Sequence, residues 1–306
     1  MVEWFINCSS NKTVMNTFYQ LFNGIWFTLV VIFVLVLTNV VNSKGYLIPL
    51  YNWLLSRVKS KRLLLALIST VSGVLPIPGR TIISAGVLDT LSSKDSNRKN
   101  YGVINYLATH HYYLWSPLEG TVLIPLSVLG ISYAAFFYKV LPLLLTIITI
   151  TLYYIFFVIK EEDIVINKSH NLKKIQKSFF EINWSLVRSV AIIIILSNYI
   201  KLHSELLLEF LLKYNYSIAL GGLIAFTSSF ILGSSSKFAG ITSLLITIFG
   251  IKYLPLLFSL GYSGYLISPM HKCLIINKKY FNLSIRHYLI LMLISIILVV
   301  VGYLSV

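Results

Sequence analysis

Two apolar segments of the chain contain the same Ser-Pro step, and the two steps lie 152 residues apart in a chain of 306. The first segment reads Tyr113-Leu-Trp-Ser-Pro-Leu-Glu119, and the second reads Tyr265-Leu-Ile-Ser-Pro-Met-His271. Proline interrupts a helix because it lacks an N–H and clashes with the preceding turn. The pattern therefore predicts two broken helices, one in each half of the chain. In membrane proteins, such paired breaks indicate the binding site of a secondary transporter.

Composition places this chain in a lipid bilayer. Hydrophobic residues make up 57% of it and charged residues only 11%, whereas soluble domains carry about 25% charged residues. We therefore expect an all-α polytopic membrane protein. The net charge of +15 could indicate nucleic-acid binding, but the basic residues fall in short loops between apolar runs. That distribution is typical of the positive-inside rule, so we expect no nucleic-acid partner.

The apolar runs divide the chain into a first repeat (1–160), a cytoplasmic linker loop (161–182) and a second repeat (183–306). Each repeat is predicted to contain, in order, a membrane pass, a short hairpin, a Ser-Pro-broken segment and a final pass. The predicted passes are 22–42, 136–160, 184–200 and 287–304, the hairpins are 63–91 and 217–249, and the broken segments are 101–135 and 251–277.

The positions of the basic residues predict the topology. With the N-terminus outside, the inside loops 43–62, 92–100, 160–178 and 278–286 hold 16 of the 25 Lys and Arg residues, and the outside holds 5. Each half then crosses the membrane three times, an odd number, so the halves enter from opposite faces. This is the architecture of inverted-topology repeats.

The first hairpin is predicted to be re-entrant, because its arms of 11–13 residues cannot span about 30 Å at 1.5 Å per residue. Its tip starts a helix whose N–H groups favour an anion, and Arg80 adds a charged fork. The predicted substrate-binding residues here are Pro78, Gly79, Arg80, Thr81 and Ser84. The alternative is a hinge turn in which Arg80 has a structural partner.

The second tip is the predicted counterpart, since its hydroxyls and backbone carbonyls can replace the hydration shell of an ion. The residues assigned to substrate binding are Gly233, Ser234, Ser235, Ser236 and Lys237, together with Ser116 and Ser268 at the breaks. The alternative is an exposed serine-rich turn with Lys237 in solvent.

Three residues near the breaks are predicted to couple transport to protons or ions. Glu119 and His271 each lie two residues after the proline of their break, and an acid and an imidazole that share one site can exchange a proton. His110 and His111 are adjacent, so at most one can line a cavity, and we favour His111. The alternative is that Glu119 and His271 only cap separate half-helices.

No enzyme motif occurs in the sequence: it lacks His-Glu-x-x-His, Gly-x-Ser-x-Gly and a P-loop. We expect no catalytic residue and no cofactor other than H⁺ or Na⁺ as a coupling ion. The two cysteines, Cys8 and Cys273, cannot form a disulfide framework. We interpret Cys273 as a small apolar residue and predict no metal site.

Three segments carry a family resemblance: Gly73-Val-Leu-Pro-Ile-Pro-Gly-Arg80, Ile104-Asn-Tyr-Leu-Ala-Thr-His-His-Tyr-Tyr-Leu-Trp-Ser-Pro-Leu-Glu119 and Gly264-Tyr-Leu-Ile-Ser-Pro-Met-His-Lys-Cys-Leu274. They resemble the DUF401 family of prokaryotic membrane proteins, which is similar to the ion transporter superfamily of GntP-like and citrate carriers. The resemblance implies an inverted-repeat transporter with two re-entrant hairpins in the prokaryotic cell (cytoplasmic) membrane. It implies no substrate.

The sequence thus predicts a secondary active transporter of a small anion, such as a carboxylate, that works by alternating access and is coupled to H⁺ or Na⁺. One alternative is a translocase of a lipid phosphate such as a polyprenyl phosphate. Another is an intramembrane enzyme. The oligomeric state stays open, a homodimer being one option.

Overall fold

A computed structural model of the chain describes residues 29, 33, 47–71, 81, 84–85, 88, 91, 98–164, 192 and 217–306. These residues form helices joined by turns and contain no β-strand, which confirms an all-α fold for this part of the chain. Ten α-helices are described: α1 Leu47–Arg57, α2 Lys61–Val71, α3 Arg98–His110, α4 Gly120–Leu129, α5 Tyr133–Tyr153, α6 Ile218–Leu232, α7 Ser235–Phe249, α8 Leu254–Ile267, α9 Lys272–Phe281 and α10 Ile285–Leu304.

Several element boundaries recur at the spacing of the Ser-Pro steps. Helices α4 and α9 both have 10 residues, and their first residues are 152 positions apart. The same offset separates the first residues of α5 and α10. Both α4 and α9 end at a left-handed residue, Gly130 with φ 65° and Asn282 with φ 53°. Glycine and asparagine are the residues that adopt this conformation most readily, so the two sequences terminate their helices in the same way.

The chain leaves the helical conformation at both Ser-Pro steps, as the sequence predicts. At Ser116 and at Ser268, the side-chain oxygen accepts from the N–H two residues on, at 3.3 and 3.2 Å. The backbone carbonyl of each serine accepts from the N–H three residues on, at 3.0 and 3.1 Å. Each proline therefore occupies the second position of a β-turn, which its fixed φ favours. Both breaks are ordered turns with the same hydrogen bonds.

Helix α8 lies at the centre of the second half, where it packs against α6, α7 and α10. Two glycines allow these close contacts. A Cβ atom on Gly264 would collide with the carbonyl oxygen of Phe226 in α6, and a Cβ atom on Gly302 of α10 would collide with the hydroxyl of Ser259. Small residues at such positions let helix backbones approach closely. They fix α8 between its neighbours and so position the second Ser-Pro turn.

Among the described residues, two helices are long and apolar enough to cross a membrane: Tyr133–Val158 and Ile285–Leu304. The first is α5 continued by a π-helical turn, Tyr154–Val158. The second, α10, leaves one apolar face uncovered along its whole length. Its exposed residues include Ile285, Leu289, Met292, Leu293, Ile296, Val300, Tyr303 and Leu304. Both helices match predicted passes, 136–160 and 287–304.

Helices α6 and α7 form the second predicted hairpin. Each has 15 residues, about 22 Å at 1.5 Å per residue, which is shorter than the hydrocarbon core of about 30 Å. The chain turns at Gly233, with φ 53°, and α7 starts at Ser235. The turn is therefore shorter than the predicted tip 233–237, because Ser234 is the N-cap residue of α7 and serine favours that position.

Several predicted segments lie outside the described residues. They are the passes 22–42 and 184–200 apart from single positions, the first hairpin tip 76–80, and most of the linker loop 161–182.

Candidate functional site

Helices α3 and α9, one from each broken segment, pack against each other in antiparallel directions. Gly102 lies against Phe281 near the start of α3. Asn105 contacts Asn277 one turn further along, and His110 at the end of α3 meets His271 just before α9. The interface thus contains two polar contacts about five residues apart. In a chain this apolar, polar side chains at a buried helix interface are functional candidates.

The first polar contact is a hydrogen bond between two asparagines. Asn105 Nδ2 donates to Asn277 Oδ1 at 2.7 Å and to the backbone carbonyl of Thr81 at 3.2 Å. Both asparagines are fully buried. Asn105 therefore joins three parts of the molecule: its own helix α3, helix α9, and the segment after the first predicted hairpin tip.

Four buried polar atoms on α3, α9 and the segment after the first predicted hairpin tip have no hydrogen-bond partner in the described part of the chain. They are Thr81 Oγ1, Ser84 Oγ, Asn105 Oδ1 and Asn277 Nδ2. We call these four residues the polar cluster. Thr81 and Ser84 are helical and three residues apart, so they share a helix face.

The unpaired polar atoms of the polar cluster lower the stability of the fold. Each buried polar group without a partner costs about 1–3 kcal/mol. Buried hydroxyls in helices can avoid this cost by donating to the carbonyl four residues back, as Thr109 and Thr242 do at 2.6 and 2.7 Å. Thr81 and Ser84 make no such bond. Their hydroxyls are therefore available to a ligand.

The second polar contact joins two histidines. Nε2 of His110 lies 3.2 Å from Nε2 of His271. Three tyrosine rings enclose the pair: Tyr106 and Tyr113 lie against His110, and Tyr265 stacks on His271 with ring centroids 4.0 Å apart. Both imidazoles are buried, at 0% and 2% exposure, so we refer to them together with the tyrosines as the histidine cluster.

The predicted residue His111 does not take part in the contact between His110 and His271. Its ring stacks on Tyr112, and its Nδ1 accepts from Trp115 Nε1 at 3.0 Å. His110 is the neighbour that reaches the partner helix. Glu119 is buried and is the N-cap residue of α4, while His271 is the N-cap residue of α9. His271 contacts His110 through Nε2, a pair of imidazoles that the sequence analysis did not predict.

The second hairpin tip packs on the second Ser-Pro turn. A Cβ atom on Gly233 would lie 2.7–2.8 Å from backbone atoms of Met270 and His271 and from Ser268 Oγ. Ser268 Oγ also donates to the carbonyl of Phe230 at 2.5 Å. The structure therefore brings Gly233, Ser268 and His271 together.

Other predicted residues lie apart from this contact. Ser234 and Ser236 have hydroxyls 3.4 Å apart, Ser235 is half-buried and Lys237 is exposed. Ser116 is buried in the first Ser-Pro turn. Pro78, Gly79 and Arg80 lie outside the described residues.

Asn105, Asn277, His110 and Tyr106 are site residues that the sequence analysis missed. A sequence signal exists for Asn105, which is a polar residue between apolar residues in the middle of a short helix. Asn277 stands among lysines near the end of α9, where a solvent-exposed position is the ordinary expectation.

In the part of the chain that the structure describes, the protein is α-helical, two of its helices are long and apolar enough to cross a membrane, and α3 and α9 enclose buried polar side chains. The chain belongs to the DUF401 family. The family model described as "Protein of unknown function (DUF401)" matches residues 6–213, about two thirds of the chain. Comparison with curated proteins gave no match, and comparison with solved structures gave none.

Proposed function

We propose that the protein is a secondary active transporter that moves a small anion across the prokaryotic cell membrane by alternating access, coupled to H⁺ or Na⁺. The polar cluster is the observation that carries the proposal. Two of its four unpaired atoms, on Asn105 and Asn277, lie where α3 packs on α9, and each of these helices comes from one broken segment. Binding sites of secondary transporters are built from such discontinuous helices.

The polar cluster suits an anion accompanied by a cation. The hydroxyls of Thr81 and Ser84 and the amide of Asn277 offer hydrogen-bond donors to an anion. Arg80 directly precedes Thr81 in the sequence and would add a positive charge. Asn105 Oδ1 is an acceptor, which suits Na⁺ or a protonated acid. Accordingly, a small carboxylate that travels with a cation matches the available groups.

We propose a multi-pass arrangement in the membrane, which is supported by the two long apolar helices among the described residues and by the positions of the basic residues. The exposed apolar face of α10 is suited to lipid, because soluble monomers rarely leave such large apolar patches uncovered. We propose that the N-terminus is outside, as the distribution of Lys and Arg favours.

Inverted repeats are supported by the 152-residue offset and by contacts between equivalent residues. Tyr113 and Tyr265 are equivalent at this offset, and their rings are 5.6 Å apart. His110 and Tyr262 are also equivalent, and Tyr262 Oη donates to the carbonyl of His110 at 2.9 Å. Residues near a two-fold axis contact their own counterparts. We propose that this axis passes between the Ser-Pro segments and that α6 and α7 form one of two re-entrant hairpins.

Alternating access would work through the α3–α9 interface. The polar cluster joins one helix of the first half to one helix of the second half through Asn105 and Asn277. A rocking movement of one half against the other would expose the cluster to each side in turn. Binding of the anion and the cation would satisfy the unpaired groups and favour the occluded state.

The proposal can be tested in proteoliposomes that contain the purified full-length chain. Uptake of a labelled carboxylate is expected to depend on an imposed pH or Na⁺ gradient. It should be lost in Arg80→Ala and retained in Lys252→Ala, which removes an exposed basic residue. Gradient-independent movement of a labelled lipid phosphate, without carboxylate uptake, would instead identify a translocase and contradict the proposal.

A further inference from the structure

Three potential metal ligands converge at the end of the α3–α9 interface where α3 ends and α9 begins. One ring nitrogen each of His110 and His271 and the Sγ of Cys273 lie within 4.8 Å of one another. The two histidines are buried and Cys273 is half-buried. Imidazole and thiolate are the ligands preferred by Zn²⁺ and Cu⁺.

Hydrogen bonds fix the tautomers of both imidazoles. His110 Nδ1 lies 2.6 Å from the backbone carbonyl of Tyr106, which can only accept, so this nitrogen carries the proton. His271 Nδ1 lies 2.7 Å from Tyr106 Oη and 3.2 Å from the carbonyl of Tyr265. Because Tyr106 Oη donates its own hydrogen to Leu266 at 2.6 Å, His271 Nδ1 is the donor here as well.

With both Nδ1 atoms protonated, Nε2 is the nitrogen that each ring offers to a metal ion, and the two Nε2 atoms face each other. A contact of 3.2 Å between two such nitrogens requires a shared cation, either a proton or a metal ion. Histidines that bind metals almost always donate the other ring N–H to a backbone carbonyl or a similar acceptor, and both histidines here are held in that way.

The distance between the two nitrogens fits a tetrahedral ion. Metal–nitrogen bonds of about 2.0–2.1 Å at the tetrahedral angle place two imidazole nitrogens about 3.3 Å apart, close to the 3.2 Å between the Nε2 atoms. A metal–sulfur bond of about 2.3 Å requires the sulfur to lie about 3.6 Å from each nitrogen. A change of χ1 in half-buried Cys273 would bring its sulfur closer while the buried rings stay in place.

We propose that His110, His271 and Cys273 bind one transition-metal ion of the Zn²⁺ or Cu⁺ class. The partly exposed thiol gives the ion an entry path, and the fourth position of a tetrahedral ion is left for water or another ligand. The site goes beyond the proposed transport function. The metal site and the polar cluster lie at opposite ends of the α3–α9 interface. Metal binding to this site can be measured without any transport assay.

The experiment is a titration of the purified full-length chain with Co²⁺, a coloured substitute for Zn²⁺. One Co²⁺ per chain is expected, with a thiolate-to-metal charge-transfer band and the intense visible bands of tetrahedral coordination. Added Zn²⁺ should displace it. A chain that binds no stoichiometric Co²⁺ would overturn the proposal.

Variants identify the ligands. The thiolate band should vanish in Cys273→Ser and persist in Cys8→Ser, which changes the other cysteine of the sequence. Affinity should fall by more than about 100-fold in His110→Gln and in His271→Gln, whereas His111→Gln should match the wild type. A thiolate band that survives in Cys273→Ser, a partly exposed position where the fold tolerates the change, would contradict the assignment.

Tyr106 is a positioning residue for this site. Tyr106→Phe removes the hydroxyl that accepts from His271, and we expect the affinity for Co²⁺ to fall about 10–100-fold. Tyr262→Phe is the matched control, because its hydroxyl donates to the backbone of His110 rather than to an imidazole. Equal losses in the two variants would show a general packing effect and would remove Tyr106 from the site.

Discussion

At the scale of single residues, Asn105 and Asn277 form a side-chain hydrogen bond that links the two halves of the chain. We predict a coupling energy of about 0.5–2 kcal/mol in a double-mutant cycle of Asn105→Ala and Asn277→Ala. The measurement is the free energy of unfolding in mild detergent. The same cycle with Asn105→Ala and Thr247→Ala should give less than about 0.5 kcal/mol, because Thr247 bonds within its own helix. Equal coupling in both cycles would count against a specific contact.

The sequence could not show which of the two adjacent histidines reaches α9. If one regular helix continued through both residues, its rotation about its axis would decide which histidine faces α9. Instead, α3 ends at His110 and a 3₁₀ turn begins at His111. The turn directs His111 towards Trp115. Similarly, nothing local distinguishes Asn277 from its lysine neighbours, since only the packing of α9 on α3 buries it. Thr81 and Ser84 can be singled out from the sequence because they follow the Pro78-Gly79 step.

At the scale of elements, the α6–α7 turn depends on Gly233. Gly233→Ala is expected to cost more than Gly130→Ala. Both glycines have positive φ, 53° and 65°, so a side chain strains either position by about 1–2 kcal/mol. Only Gly233 also packs against the Ser268 turn, whereas a Cβ atom on Gly130 would meet nothing within 4 Å. Unfolding measurements on the two variants isolate this contact, and equal losses would show that the tip does not pack there.

Most boundaries of these elements follow from the sequence. The two predicted arms of the second hairpin, the first over 217–232 and the second ending at 249, agree with α6 and α7. Gly233 and Gly250 directly follow the ends of these helices. Helix α8 ends at Ile267, directly before Ser268 and Pro269, because proline interrupts a helix. The packing of α4 on α7 and of α9 on α3 could not be predicted from local sequence, because it depends on contacts between residues far apart in the chain.

At the scale of the whole molecule, inverted repeats predict that equivalent positions face opposite sides of the membrane. Ser132 and Ser284 are such a pair, each the N-cap residue of a long helix. In a background where both cysteines are replaced by serine, Ser132→Cys should react with an impermeant maleimide on intact cells. Ser284→Cys should react only after the membrane is permeabilised. Labelling of both from one side would contradict the inverted topology.

The central claim is that the polar cluster binds the transported anion, and it is tested most directly by removing one hydroxyl from it. Ser84→Ala and Ser295→Ala make the same chemical change at two buried hydroxyls without partners, but only Ser84 belongs to the cluster. Gradient-driven carboxylate uptake into proteoliposomes should fall about tenfold or more in Ser84→Ala, since one hydrogen bond to a charged ligand is worth about 1.5–3 kcal/mol. It should stay near the wild-type rate in Ser295→Ala. Equal uptake by the two variants would contradict the account.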